Sequence, residues 1–391
     1  MLRVLTFTDL YPNPVQPRHG IFVEHRLRNL VATGAVTATV VAPVPKLAAF
    51  LPAFGRARAP ANLPTADLRH GIRVHYPRFP FLPRLTNWVN PISVALTSLP
   101  VIQRLRRDEG DFHLIDAHFF YPVGIAAVLL GIWLNKPVVI TARGSDINLH
   151  TRFRMQRAWI RWAANRAAAL VTVSTALRMA LADIGVPLSR ITVVQNGVDL
   201  EAFKVRDRAP LRARLGWSRP TLLAVGNLVP EKGHDLIIEA LPLLTDVTLV
   251  IVGSGPEEQW LRRLARNYGV ESRVTWVPYL SQNELAEYYC AADATVLASS
   301  REGMANVLLE SLACGTRVIA SDVGGNAEVV CDDRAGVLLH ERSAAAIVEA
   351  YRKVRASDLD ASMTRLFAER FGWSAPIATL RTLLESVARA Y

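Results

Sequence analysis

Along this chain short apolar runs alternate with loops and with stretches of helical spacing, a rhythm that leaves little room for anything but parallel sheets flanked by helices. It begins with a strand over 2–7, a proline-rich loop over 8–20 and a helix over 21–31. Further strands are predicted over 37–42, 113–118, 137–141, 170–174 and 191–194, with helices over 124–134, 154–168 and 175–184. From 43 to 84 the composition shifts to Pro, Ala, Leu, Phe and Arg, which reads as a loop-rich insertion. The rhythm lapses over 201–220, a charged stretch with two prolines that reads as a linker. It then restarts, with strands over 221–225, 247–252, 273–277, 293–298 and 317–320.

Two such series in 391 residues predict two doubly wound halves, a cleft between them, and ligand-binding loops at the carboxyl ends of both sheets. With 51% apolar residues the chain has ample material for burial. Its net charge of +11 favours anionic partners, namely nucleotides, nucleic acid or an acidic membrane surface, although a solvated basic face accounts for it equally well. The interleaved aromatics and contiguous basic run of a nucleic-acid platform are missing, so no nucleic-acid partner is expected. Cys290, Cys314 and Cys331 suit neither a zinc site nor a disulfide framework, and a reducing cytoplasm is the simplest compartment. The amino terminus reads as a strand rather than a signal peptide, and the longest apolar run, 123–134, is too short to span a bilayer. Any membrane contact would be peripheral. The Phe, Leu and Arg of 43–84 suit an anionic bilayer or an ordinary surface loop.

Two loops carry the chemistry. In 299–315 Glu302 falls in the turn between a strand and a helix, and Glu310 lies one helical turn past Asn306, on the same face. Gly303, Met304, Ala305 and Asn306 begin that helix without a bulky charge, which predicts backbone N–H groups open to a phosphate. Either acid alone would ordinarily be a cap or a solvent-facing residue. In 226–233 Lys232 stands between glycines, where it is a point charge for a departing diphosphate or simply a solvated lysine. The Gly253-Ser-Gly255 turn is a poor phosphate loop, because Glu257 and Glu258 already satisfy the following helix. Gly20 turns the first loop into its helix and offers an N–H to an anion, or serves only the turn.

These segments, with Asp116-Ala-His118, Gly144-Ser-Asp146, Asn196-Gly-Val-Asp199 and Gly324-Gly325, resemble the retaining glycosyltransferases of family 4, in their order and spacing and over essentially the whole chain. Within that family the chain is most similar to bacterial enzymes of surface-polysaccharide assembly, the teichuronic acid group. The resemblance implies the GT-B fold: two Rossmann-like domains facing across a cleft, 1–200 for the acceptor and 201–370 for the nucleotide sugar, with 371–391 as a helix crossing back to the first. It implies that Glu310 binds ribose hydroxyls, Glu302 binds hydroxyls of the transferred sugar, the backbone from Gly303 through Met304, Ala305 and Asn306 to Val307 holds the sugar and distal phosphate, and Lys232 meets the diphosphate. Gly20 would add an N–H, and His118 would lie near the sugar and acceptor. His118, Arg143 and Asp146 are the acceptor-side candidates.

The chain departs from the family pattern in two places. Asn227 stands where an arginine is common, so Arg301 is the candidate replacement on the donor; Arg143 stands where a histidine often precedes Gly-Ser-Asp, and a cation there suits an anionic acceptor. No Asp-x-Asp pair falls in a suitable loop, so metal-independent transfer is expected. The resemblance implies that the transfer is retaining and moves a hexose-type sugar from a UDP- or GDP-linked donor without a cofactor. The acceptor would be a glycan or a lipid-linked saccharide. A GT-B epimerase or phosphorylase, and a basic non-enzymatic binding module, are the rival readings.

Overall fold

The computed structural model describes residues 1–47, 62–81 and 90–391, and the chain divides into two compact units, Met1–Gln195 with Ser374–Tyr391, and Asn196–Trp373. In the first unit the order is β1 (Leu2–Phe7), α1 (Ile21–Ala32), β2 (Val36–Val41), β3 (Val44–Leu47), β4 (Ala66–Arg69), β5 (Ile72–His75), β6 (Arg78–Phe81), α2 (Asn90–Asp108), β7 (Leu114–His118) and α3 (Ile125–Leu134). It continues with β8 (Val138–Ala142), α4 (Ser145–Asn148), α5 (Arg154–Arg166), β9 (Ala169–Thr172), α6 (Thr175–Asp183) and β10 (Ile191–Val193). Eight strands form one sheet in the order β10-β9-β8-β7-β1-β2-β5-β4, parallel except for β4, while β3 and β6 pair separately. Central strands β7 and β8 are buried at every residue, as a sheet covered on both faces requires.

The insertion expected over 43–84 is therefore more ordered than its composition suggests. Within it, β5 extends the main sheet parallel to β2 and β4 folds back on β5. His70 and Gly71 both have positive φ, the turn that suits a tight hairpin. Residues 48–61 and 82–89, which carry seven of the fifteen Phe, Leu and Arg of 43–84 on which a membrane contact is expected, lie outside the described residues.

The second unit runs α7 (Arg208–Leu215), β11 (Thr221–Val225), α8 (His234–Ala240), β12 (Thr248–Val252), α9 (Glu258–Asn267), β13 (Val274–Val277) and α10 (Gln282–Ala291). Then follow β14 (Ala294–Leu297), α11 (Asn306–Ala313), β15 (Val318–Ser321), α12 (Asn326–Val329), β16 (Gly336–Leu339), α13 (Ala344–Ala356) and α14 (Ala361–Ala368). Its six strands are all parallel, in the order β13-β12-β11-β14-β15-β16, around a core of Leu222, Ala224, Leu249, Ile251, Val296 and Ile319. The linker expected over 201–220 contains a helix instead. The Asp207 carboxylate accepts from the Ala209 N–H at 3.1 Å, and Pro210 sits in the first turn of α7, where its missing N–H costs nothing. The last helix, α15 (Ser374–Ala390), belongs to the first unit and packs against α1 and β7.

Both sheets share one device. Strand order reverses between β1 and β7 in the first and between β11 and β14 in the second, so the loops after those strands diverge and leave a crevice at the carboxyl edge. Gly20 and His118 lie in the segments that follow β1 and end β7; Lys232 and Glu302 follow β11 and β14.

Candidate functional site

At the crevice of the second unit the two expected loops stand side by side and are stitched together. The Lys232 ammonium donates to Glu302 Oε1 at 2.5 Å, and Ser299 Oγ donates to the same oxygen at 2.8 Å. A second ion pair, Arg301 with Glu231, crosses between the loops in the opposite sense. The Ser300 N–H adds a bond to the Glu231 carbonyl at 2.8 Å. Neither charged pair is fully buried, so a ligand bearing phosphate can exchange with the carboxylates for the two cations.

The loop after β15 fixes Glu302 from the other side. Gly324 has φ 56°, and a Cβ there would come within 2.1 Å of the Glu302 carbonyl oxygen, while the Gly325 N–H donates to the Gly303 carbonyl at 2.8 Å. Only glycine fits so close a left-handed approach. Helix α11 then starts at Asn306, and its N-cap residue, Ala305, has no side chain with which to cap it. The Asn306 amide oxygen accepts from Asn196 Nδ2 at 2.9 Å, and the same nitrogen reaches the Met304 carbonyl at 3.3 Å, which orients the entry to the helix. Val307 follows in the first turn. Asn227 is exposed beside Lys232 and contributes no cation.

One turn further along α11, Glu310 Oε2 accepts from the Tyr289 hydroxyl at 3.0 Å. Burial pushes the Glu310 carboxyl up to about 7, and the tyrosine hydrogen bond only partly opposes this. Tyr289, Ser299, Glu231 and Asn196 belong to the constellation through contacts that sequence spacing does not reveal. Among the described residues no three His, Cys, Asp or Glu side chains converge as a metal site requires.

The first unit's crevice is of another kind. His118 ends β7 and is only 1% exposed. Its Nε2 lies 3.2 Å from Asp116 Oδ2, and its Nδ1 lies 2.9 Å from Arg143 Nη2. A guanidinium only donates, so Nδ1 accepts and Nε2 carries the proton toward Asp116. Burial lowers the imidazole to about 4 despite Asp116, so the ring is neutral near pH 7. Arg143 is itself buried, with its guanidinium 5.3 Å from the Phe22 ring centre. Asp146 is a loop anchor: its carboxylate accepts from the N–H groups of Phe120 at 2.9 Å, Gly144 at 2.8 Å and Arg143 at 3.1 Å. Gly20 is the left-handed residue immediately before α1.

Comparison with known proteins places the chain in a family. The family description "Glycosyl transferases group 1" fits residues 207–366 and "Glycosyltransferase Family 4" fits residues 24–202. The D-inositol 3-phosphate glycosyltransferase of Xylanimonas cellulosilytica is 31% identical over 361 residues, covering 84% of this chain and 85% of that protein. A Bacillus subtilis protein named for teichuronic acid biosynthesis, the glycosyltransferase TuaC, is 29% identical over 357 residues, 89% of this chain and 88% of its own. Among solved structures, the sucrose-phosphate synthase of Thermosynechococcus elongatus superposes with a TM-score of 0.79 at 19% identity, over 100% of both chains. Anabaena HepE in complex with UDP superposes at 0.76 and 19% identity, over 99% of this chain and 100% of that one. The chain belongs to the family 4 glycosyltransferases and has their GT-B fold of two Rossmann-like α/β units.

Proposed function

We propose that this glycosyltransferase draws its sugar from a nucleoside diphosphate held at the carboxyl edge of the second sheet, with retention of anomeric configuration and without a metal ion. The observation that carries the reading is the Lys232–Glu302 pair at the strand-order reversal, directly before the start of α11, which its N-cap residue Ala305 does not cap. As the bond from the anomeric carbon to the diphosphate oxygen breaks, negative charge grows on the phosphate. Lys232 and the N–H groups at the start of α11, from Gly303 to Val307, stabilise it. Lys232 then changes partner from carboxylate to phosphate, which frees the Glu302 oxygens to accept from hydroxyls of the sugar. Glu302 orients that sugar and forms no covalent intermediate. Glu310, backed by Tyr289, accepts from the ribose hydroxyls.

Several comparisons support this donor class. HepE has been solved with UDP, with UDP and glucose, and with UDP-glucose, and a plant starch synthase with ADP and acarbose. The acceptor is a glycan or lipid-linked saccharide on the side of His118, Arg143 and Asp146, and the similarity to TuaC supports a role in surface-polysaccharide synthesis. The test is a screen of UDP- and GDP-sugars for slow hydrolysis in excess EDTA, with thermal stabilisation by UDP or GDP read in parallel. Turnover in EDTA with the anomeric configuration kept in the transferred product is expected. Loss of turnover restored by Mg2+ overturns the metal-free mechanism, an inverted product overturns retention, and donor conversion without any acceptor or water product points to an epimerase.

A further inference from the structure

Residues 147–182 contain six arginines, no lysine and no acidic residue, so more than half of the chain's net charge of +11 comes from 36 consecutive positions. Most of that charge is on one helix. Arg154, Arg157 and Arg161 follow one another on α5 at spacings of three and four, which places them on one stripe, and all three are exposed. A neighbouring stripe, Ile160, Ala163 and Ala164, is fully buried, and α5 packs against α3. Among the described residues none of the six arginines enters an ion pair with a carboxylate. Arg166 lies over the Trp162 ring at 4.8 Å.

Apolar side chains stand exposed next to Arg154 and on the neighbouring helix α3. Phe153 and Met155, at the start of α5, are 56% and 57% exposed. Ile132 and Trp133, at the end of the neighbouring α3, are 57% and 44% exposed. Trp159 and Trp162 are half-buried and packed edge to face at 5.4 Å, so their flat faces are not laid out for stacking on bases. A helix with one buried stripe of small residues, one stripe of arginines and apolar bodies at its border has the pattern of an element lying in a lipid interface.

We propose that α5, with the end of α3, is a docking face for an anionic lipid bilayer, the arginines meeting phosphate headgroups and Phe153, Met155, Ile132 and Trp133 entering the headgroup layer. The occupant follows from charge complementarity combined with the exposed apolar side chains: a nucleic acid would satisfy the arginines but leave those four side chains in water, whereas an anionic bilayer meets both. The face is separate from the donor loops, so its test does not depend on the donor assignment.

The full-length protein should co-sediment with vesicles of phosphatidylcholine containing phosphatidylglycerol and not with phosphatidylcholine alone, and the binding should weaken as salt is raised. Arg157→Gln with Arg161→Gln should reduce the partition coefficient about 30-fold, from the usual contribution of an arginine near an anionic surface. Phe153→Ser with Met155→Ser should reduce what binding persists at high salt. Both double variants should keep the parent's thermal midpoint and glycosyl transfer to a water-soluble acceptor. Equal binding to neutral and anionic vesicles, undiminished binding by the arginine variant, or tighter binding to a single-stranded oligonucleotide than to the anionic vesicles would overturn the proposal.

Discussion

The two crevices of this enzyme are built by the same topological rule and filled in opposite ways. In the second unit the charged groups sit on loops after β11 and β14, partly exposed, and pair with one another through contacts that a ligand can replace. In the first unit the polar groups are buried, His118 has both ring nitrogens engaged, and Asp146 spends its carboxylate on main-chain N–H groups. Exchangeable pairs suit a site where charge must develop and leave. A locked cluster suits a surface that holds its shape while a partner is positioned against it.

The sharpest way to break that contrast is to remove one anchor from each. Lys232→Ala should lower kcat/KM about 10²- to 10³-fold, the usual effect of deleting one donor to a developing anion, while shifting the denaturation midpoint little because the lysine is partly exposed. Asp146→Ala should do the reverse and cost about 3 kcal/mol of stability, since three N–H groups buried beneath the loop lose their acceptor at once. Should the lysine variant unfold and the aspartate variant turn over poorly while remaining fully stable, the division between exchangeable and structural groups would be wrong.

The sequence revealed the site's skeleton because its parts are local. A glycine turn, a lysine and an acid after an apolar strand can each be read in a window of ten residues, and parallel topology brings their loops to one edge. What it hid are partners brought by tertiary contact: Glu231 to Arg301, Tyr289 to Glu310, Asn196 to Asn306. Spacing carries no information about these. The edge hairpin of β4 and β5 was missed for a different reason. β4 alternates exposed with partly covered residues and β5 buries only Ile72 and Val74, so neither forms an apolar run and His70-Gly71 is the one strong local signal. In 201–220 charge and two prolines suggest a linker, although Pro210 occupies a helix position that tolerates it, and α2 contains Pro100 within its length.

Acid–base behaviour should separate the crevices again, with a smaller effect. His118 is already neutral above about pH 4, so it gives the pH profile of transfer no limb between pH 5 and 8. Glu310 should give one. Its carboxyl titrates near 7 in the folded enzyme against the usual 4.5, so between these values the folded state holds a proton the unfolded chain has lost. Stability therefore falls as pH rises from 4.5 to 7 and stays lower above it, by on the order of 3 kcal/mol. Glu310→Gln should remove this penalty and be more stable than the parent at pH 8 and equal to it near pH 4.5, yet bind UDP or GDP more weakly at pH 8. In the parent, nucleotide affinity should fall as pH drops through 7, because the carboxylate is the better acceptor for two hydroxyls. Titration calorimetry at the two ends of that range, with chemical denaturation alongside, measures both arms.

The smallest effect bears on whether Arg301 belongs with the exchangeable groups or merely braces them. As a brace it holds Glu231, and through the Ser300 N–H bond to the Glu231 carbonyl it keeps the two loops in register. An exposed pair of that kind is worth less than about 1 kcal/mol. As a donor contact it replaces the cation absent at Asn227, and Arg301→Ala should slow transfer about tenfold with stability nearly unchanged. Asn227→Arg distinguishes the two roles, because it restores positive charge on the Lys232 loop without restoring the bond to Glu231. Recovery of kcat/KM in Asn227→Arg/Arg301→Ala would mean that the cationic clamp has moved from one loop to the other in this chain. Failure to recover, together with an equal loss in Glu231→Ala, would assign Arg301 to the scaffold and leave Lys232 and the start of α11 to meet the diphosphate.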